Sequence, residues 1–349
     1  MTSVWGSPDF DDHEGVHLFA DPASGLQAVV AIHSTHLGPA AGGVRFWHYP
    51  ADEGAIVDAL RLSRGMSYKN AMAGLPMGGG KGVVLAGEPG TTISDAQLAA
   101  FGRAVESLGG RYVTAADVGM TEARMKVIAG ETRHVSGLPA QAGSAGGDPG
   151  PYTARGVYLG VKAAARRGLG ADTMRGVRVA IQGVGSVGGG LARLLAADGA
   201  VLTLADVDTA RAERLAAELG ARTAPTETIL STDADIVSPN ALGAILSEAS
   251  IGALRAKVVA GGANNQLATA EDGRRLHEAG VLYAPDYVIN AGGIINVGLE
   301  YLGHSDEAEV NARIARIPDR LVEVWEESER TGDPAALVAD RIAQRLIGR

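Results

Sequence analysis

Cysteine is absent from all 349 positions, which rules out disulfide cross-links and thiolate chemistry and is compatible with a reducing cytosol. No apolar run approaches the roughly 18 residues of a membrane span, and there is no signal-peptide pattern. Runs of Lys/Arg are missing too, and the net charge is −9, so neither nucleic acid nor an acidic membrane is an expected partner. A cytoplasmic globular protein is expected. His33, His36 and His48 lack acidic partners at ligand spacing, so no metal is expected. Lysine is scarce: among 31 basic residues the lysines are Lys69, Lys81, Lys126, Lys162 and Lys257. Lys69 and Lys81 nevertheless fall twelve positions apart in one glycine-rich neighbourhood. Arginine does not give up its proton at useful pH, whereas a desolvated lysine does. Chance within an arginine-biased composition is the alternative reading.

Glycine, by contrast, is abundant, with 49 residues against an average near 7%. It clusters at the ends of apolar runs, where tight turns and close backbone approaches need it. From about residue 177 strands and helices alternate. Strands are expected at 177–181, 201–205, 235–238, 257–260 and 281–283, with helices at 187–198, 209–219, 241–254 and 268–279. This rhythm implies parallel βαβ units and a doubly wound sheet. The first 135 residues are mixed α/β, with strands expected at 27–32 and 83–85 and helices at 52–66, 94–108 and 121–130. The Gly/Ser/Pro-rich stretch 140–151 reads as a linker or loop. Helices are expected again at 306–330 and 334–347. The fold class expected is thus α/β with two domains separated by a cleft. A catalytic domain takes 1–137 plus about 325–349, and a Rossmann-type domain takes 138–324.

Gly183, Val184, Gly185, Ser186, Val187 and Gly188 form G-x-G-x-x-G directly after a strand and before a helix. The glycines permit a tight turn, approach to a pyrophosphate and close helix–strand packing, and the helix N-terminus attracts phosphate. Asp206 ends the next strand 23 positions after Gly183, near the spacing expected of a ribose-binding acid. Such an acid favours NAD over NADP. The alternative is that Asp206 caps the following helix; Arg211 nearby would soften the preference. Pro76-Met-Gly-Gly-Gly-Lys81 resembles a phosphate-binding P-loop but fails it. Leu75 stands where the first glycine belongs, and Gly82 stands where Ser or Thr belongs.

Four motifs of the first half, with those of the second, resemble the amino-acid dehydrogenases acting on glutamate, leucine, phenylalanine and valine. They are Gly38-Pro-Ala-Ala-Gly-Gly43, Met66-Ser-Tyr-Lys69, Leu75-Pro-Met-Gly-Gly-Gly-Lys81 and Thr114-Ala-Ala-Asp117. The likeness continues through Thr153-Ala-Arg-Gly, Pro239-Asn-Ala-Leu-Gly, Ala260-Gly-Gly-Ala-Asn-Asn265 and Pro285-Asp-Tyr-Val-Ile-Asn290. It implies that Lys69 holds the substrate α-carboxylate with the Gly42 and Gly43 N–H groups and Asn264. Lys81 becomes the catalytic lysine and Asp117 the proton shuttle. Simple surface, structural or helix-capping roles are the alternatives. Thr153 and Asn290 would hold the nicotinamide amide of NAD, with Asn240, Ala241, Asn264 and Arg45 also at the cofactor. Glycines 78–80, three in succession before a lysine, suggest backbone packed against ligand, with a simple turn as the alternative. The positions resembling the family's side-chain pocket, Ala41, Ala115, Ile294 and Val297, are apolar, so a hydrophobic amino-acid substrate is expected. β-Branched Ile294 and Val297 favour leucine, isoleucine or valine, while small Ala41 leaves phenylalanine open. Self-association through the N-terminal domain is expected. A non-catalytic NAD-binding regulator is the reading from another class.

Overall fold

The computed structural model describes residues 3–138, 146–304 and 306–349, so 140–145 of the expected loop lie outside the described residues. The chain forms two compact units. One comprises Met1–Gly147, Asn296–Glu309 and Ala343–Arg349; the other comprises Asp148–Ile295 and Val310–Ile342. No helix among the described residues is long and apolar enough to cross a membrane.

The first unit is built on β1 (Gly15–Asp21), β2 (Leu26–Ser34), β3 (Ala40–Trp47), α1 (Asp52–Met72), β4 (Gly78–Leu85), α2 (Asp95–Ser107), β5 (Tyr112–Ala116) and α3 (Glu122–Ala129). Its sheet runs β1-β2-β4-β3-β5. β1–β2 and β2–β4 are antiparallel, while β3 is parallel to both β4 and β5. β2 reads as an unbroken apolar run because both its faces are covered. Val30 and Ile32 pack with Val44, Phe101, Tyr112 and Ile128 on one side. Val29 and Ala31 pack with Ala55, Ala59, Leu60 and Val83 beneath α1 on the other.

β4 corrects the sequence reading, which started this strand at residue 83. The strand begins at Gly78, and the glycines are required by the protein itself. A Cβ on Gly78 would lie 1.9 Å from the Ser34 carbonyl oxygen, and one on Gly79 2.0 Å from the Ser67 nitrogen of α1. One on Gly80 would lie 2.7 Å from the Tyr112 ring. The missing side chain of Gly79 lets α1 lie directly on the strand, while Gly78 and Gly80 make room for the Ser34 carbonyl and the Tyr112 ring. That packing also carries the helix to Met72, past the expected end at 66, and so places Lys69 in its last turn.

The second unit contains α4 (Gly150–Leu169), β6 (Arg178–Gln182), α5 (Ser186–Ala197), β7 (Val201–Ala205), α6 (Thr209–Leu219), β8 (Arg222–Thr223) and β9 (Ile236–Pro239). It continues with α7 (Glu248–Ala253), β10 (Val258–Val259), α8 (Ala270–Glu278), β11 (Leu282–Tyr283) and α9 (Asp286–Ile289). The all-parallel sheet is ordered β8-β7-β6-β9-β10-β11, the Rossmann order, with its switch point between β6 and β9. α4 escaped the sequence reading because glycines interrupt it. They are packing sites: a Cβ on Gly160 would lie 2.4 Å from Ile289 Cγ1.

The chain ends in α10 (Gly292–Tyr301), α11 (Glu307–Ile314), α12 (Ile317–Thr331) and α13 (Ala335–Leu346). The single helix expected over 306–330 is two, and Pro318 sits in the first turn of the second, where its missing N–H costs nothing. The assignment of about 325–349 to the first unit also changes. Trp325 is buried and donates to the Tyr283 carbonyl at 2.8 Å, and Tyr287 donates to Asp340 at 2.8 Å. These bonds tie the segment as far as Ile342 to the second unit. Asn296–Glu309 instead joins the first: Asn296 bonds both backbone groups of Gly146, and the Glu300 carboxylate accepts from the Gly137 and Leu138 N–H groups.

Candidate active site and dinucleotide site

Strand alternation assigns the faces of β3. Ala40, Val44 and Phe46 enter the core, while Ala41, Gly43 and Arg45 point to the side that α1 covers. Lys81 shares its face of β4 with Val83, whose side chain packs under α1. Asp117 follows the last residue of β5. Residues 36 and 72 positions apart therefore meet: Lys81 Nζ donates to Asp117 Oδ2 at 2.6 Å, and Arg45 Nε donates to the same oxygen at 3.1 Å. Arg45 Nη1 also donates to Asp58 Oδ2 at 2.8 Å, which accepts from Tyr49 Oη at 2.7 Å. Asp58 Oδ1 accepts from Arg61 at 3.0 Å. Arg45, expected at the cofactor, is thus engaged by two carboxylates, and sequence reasoning missed Asp58 and Tyr49 altogether.

Lys81 is 6% exposed. Burial pushes its ammonium below the usual lysine range; Asp117 opposes the shift and Arg45 adds to it. Burial alone would raise Asp117, but Lys81 and Arg45 outweigh it and hold the carboxyl below the usual range. Asp117 is no helix cap, since Thr121 caps α3.

The surrounding glycines are structural necessities. A Cβ on Gly42 would lie 1.7 Å from the Gly80 carbonyl oxygen, and one on Gly43 2.9 Å from Asp117 Cβ. The β3–β4 register pairs Ala41 with Gly79 and resumes at Val44 with Gly82, so Gly42 and Gly43 fall outside that ladder. Gly43 pairs with Ala115 of β5, and Tyr112 Oη donates to the Gly42 carbonyl at 2.7 Å. Lys69 is half-buried on α1. Ala41 is buried, Ala115 and Val297 are half-buried in the same unit, and Ile294 and exposed Asn264 belong to the other.

In the second unit the glycine loop joins β6 to α5. Gly183 has φ +82°, and a Cβ there would meet the Ala241 N at 2.9 Å, beside Asn240 at the end of β9. A Cβ on Gly188 would lie 1.9 Å from the Gly183 carbonyl oxygen, whereas one on Gly185 would meet nothing within 4 Å. Gly185 and Ser186 are exposed and Val187 is half-buried. The turn and packing glycines are filled by protein, and the middle one opens outward at the N-terminus of a 12-residue helix. That geometry fits a pyrophosphate. Asp206 is buried, with Oδ2 accepting from Val184 N at 2.8 Å and Oδ1 from Asp208 N at 2.9 Å. The cap of α6 is Asp208, not Asp206. Arg211 lies 3.7 Å from Asp206 and 3.3 Å from Asp208. Asn240 Oδ1 accepts from Gly262 N, and Asn290 Nδ2 donates to Asn264 Oδ1 at 2.8 Å. Asn290 Oδ1 is buried and has no hydrogen-bond partner among the described residues. Thr153 Oγ1 donates to the Pro149 carbonyl, and a Cβ on Gly293 would lie 2.6 Å from that hydroxyl.

Residues 13–134 match the family model of the Glu/Leu/Phe/Val dehydrogenase dimerisation domain, and 209–345 match that of glutamate/leucine/phenylalanine/valine dehydrogenase. The chain belongs to the Glu/Leu/Phe/Val dehydrogenase family. It is similar to leucine dehydrogenase of Bacillus subtilis (strain 168), 47% identical over 97% of this chain and 92% of the relative. It is also similar to valine dehydrogenase of Streptomyces virginiae, 46% identical over 97% of this chain and 95% of the relative. Among solved structures, L-tryptophan dehydrogenase from Nostoc punctiforme superposes with a TM-score of 0.86 at 40% identity, covering 96% of each chain. The chain is therefore an oxidoreductase, an amino-acid dehydrogenase of a family that uses NAD(P).

Proposed function

We propose that this dehydrogenase catalyses the reversible oxidative deamination of a branched-chain L-amino acid, with NAD as the hydride acceptor. Amino acid, NAD and water give the 2-oxo acid, ammonium, NADH and a proton. The observation that carries this reading is buried Lys81 paired with half-buried Asp117, 2.6 Å apart. A lysine driven toward neutrality beside a carboxylate supplies both proton transfers that imine–carbonyl exchange needs. Lys69, with the Gly42 and Gly43 N–H groups, anchors the substrate α-carboxylate. Asp117 takes the amino-group proton and returns it. Lys81 activates the water that attacks the imine carbon and stabilises the oxygen charge that develops there. NAD, when bound, accepts the hydride from Cα.

On the cofactor side, the loop Gly183–Gly188 and the α5 N-terminus receive the pyrophosphate. Asp206 still has lone pairs for ribose hydroxyls after accepting from Val184 and Asp208, and Arg211, held between two acids, has its charge largely balanced. The Asn290 oxygen, without a partner among the described residues, is an acceptor suited to a carboxamide N–H, and Thr153 is proposed to hold the same amide. Asn240, Ala241 and Asn264 complete the rim. Asp206→Asn keeps an acceptor for the loop and removes the charge that repels a 2′-phosphate. The NAD/NADP ratio of kcat/KM should fall by about tenfold, the scale of a charge-assisted hydrogen bond; an unchanged ratio would move that role elsewhere.

Ala41, Ala115, Ile294 and Val297 offer no charge to a substrate side chain, and the similarity to leucine and valine dehydrogenases supports an aliphatic substrate. Initial rates of NADH formation with L-leucine, L-isoleucine, L-valine and L-phenylalanine test the proposal. Leucine should exceed phenylalanine by about tenfold or more in kcat/KM, within the range that one or two methylenes command. A reversed order would make the enzyme aromatic-specific. No NADH with any of the four would overturn the deamination reading. Self-association through the 13–134 region is proposed with it, on the strength of the dimerisation-domain match.

A further inference from the structure

Two cations converge on a single oxygen of Asp117, and one of them is itself shared. Arg45 spans Asp117 Oδ2 through Nε at 3.1 Å and Asp58 Oδ2 through Nη1 at 2.8 Å. Asp58 is in turn held by Tyr49 Oη and Arg61. Arg45 and Asp58 side chains are only 22% and 16% exposed, so water does little to screen them. Lys81 already satisfies the need for one counter-charge, and a second full positive charge on the same oxygen would leave a proton shuttle permanently ionised.

We propose that Arg45 and Asp58 are positioning residues that set how tightly Asp117 holds its proton, with Asp58 drawing off part of the Arg45 charge. This rests on the assignment of Asp117 as the acid–base group. The charged and titratable groups around Asp117 are Lys81 on β4, Arg45 on β3, Asp58 and Arg61 on α1, Tyr49 in the β3–α1 connection and buried Tyr112 on β5. Among the described residues none of the others offers a third cation in contact with the carboxylate. The arrangement is graded: removing Arg45 and removing the Asp58 charge push Asp117 in opposite directions.

Opposite signs are what distinguish this from a scaffold. In Arg45→Gln, Asp117 loses a cation and binds its proton more tightly. The acid limb of the kcat/KM profile should rise by about one pH unit, a tenfold change in proton affinity. In Asp58→Asn, Arg45 acts on Asp117 at full charge, and the limb should fall by a comparable amount. Lys81 feels Arg45 in the same sense, so the signs hold whichever group sets the limb. Arg45→Lys keeps the charge and should stay closer to wild type than Arg45→Gln, a safeguard should Asp58→Asn fold poorly. The Asp117 carboxyl titration, followed by 13C NMR in aspartate-labelled protein and assigned with Asp117→Asn, needs no turnover and should show the same signs. Both variants slowed with unshifted profiles and titrations, or both shifted the same way, would reduce the pair to a structural brace. Lack of NADH formation by the wild type would strike the deamination reading instead, leaving the titrations to judge the pair.

Discussion

Replacing Lys81 by alanine should lower kcat by about three orders of magnitude while NAD affinity stays near that of the wild type. General acid–base groups contribute about 10²–10⁴-fold, and Lys81 is proposed to manage both the water and the carbonyl oxygen. Its loss also removes the closest counter-charge of Asp117, leaving Arg45 at 3.1 Å. The residues proposed for NAD all lie in the other unit, so a fluorescence titration with NADH should give a Kd within a few-fold of wild type. Global folding should survive, because Arg45 remains in contact with the half-buried Asp117 carboxylate that Lys81 leaves behind. Lys81→Arg supplies the sharper control. It retains a cation for Asp117 but no titratable amine, and it should fail to rescue turnover. Preserved kcat with weakened NAD binding in Lys81→Ala would contradict the assignment.

The second large effect is expected from one methyl group. In Gly42→Ala the new Cβ sits 1.7 Å from the Gly80 carbonyl oxygen and 2.8 Å from its carbon. Side chains turn aside from such a clash, but here the obstacle is the backbone of the strand that carries Lys81. β3 and β4 have to part at the site, and the cost should reach or exceed the upper end of the about 1–3 kcal/mol typical of overpacking. Thermal melting should show a loss of roughly 5 °C or more, accompanied by loss of activity as Lys81 and Asp117 separate. Gly65→Ala is the matched control: it lies within α1, its Cβ meets nothing within 4 Å, and helix propensity favours alanine by about 0.5–1 kcal/mol. A Gly42→Ala protein with unchanged melting and full turnover would mean that the strands do not approach each other in this way.

Sequence and structure agree best where the information is local. A strand, a glycine loop and a helix in direct succession signal the dinucleotide unit from within residues 178–197. Strands at 201–205 and helix 209–219 stand where periodicity places them. Agreement weakens in the first unit. β1, β3 and β5 carry no distinct alternation, because glycine, alanine and polar residues occupy positions chosen for close packing or for the site. Lys81 and Asp117 were legible as candidates through motif resemblance. Their mutual contact was not, because it joins positions 36 residues apart, one on β4 and one just past the end of β5, with β3 between those strands in the sheet.

The amino-acid sequence by itself determined the Rossmann architecture, the two lysines and the acid that follow the family pattern, and the apolar character of the substrate positions. Each is written in residue types at short spacing, and periodicity or motif reads it out. Only the tertiary structure decided what the glycines of β4 are for, where the last helices belong, and that Arg45 links Asp117 to Asp58. Those facts depend on which backbone lies within 2–3 Å of which, and no local rule of spacing expresses the approach of strands brought together by a fold.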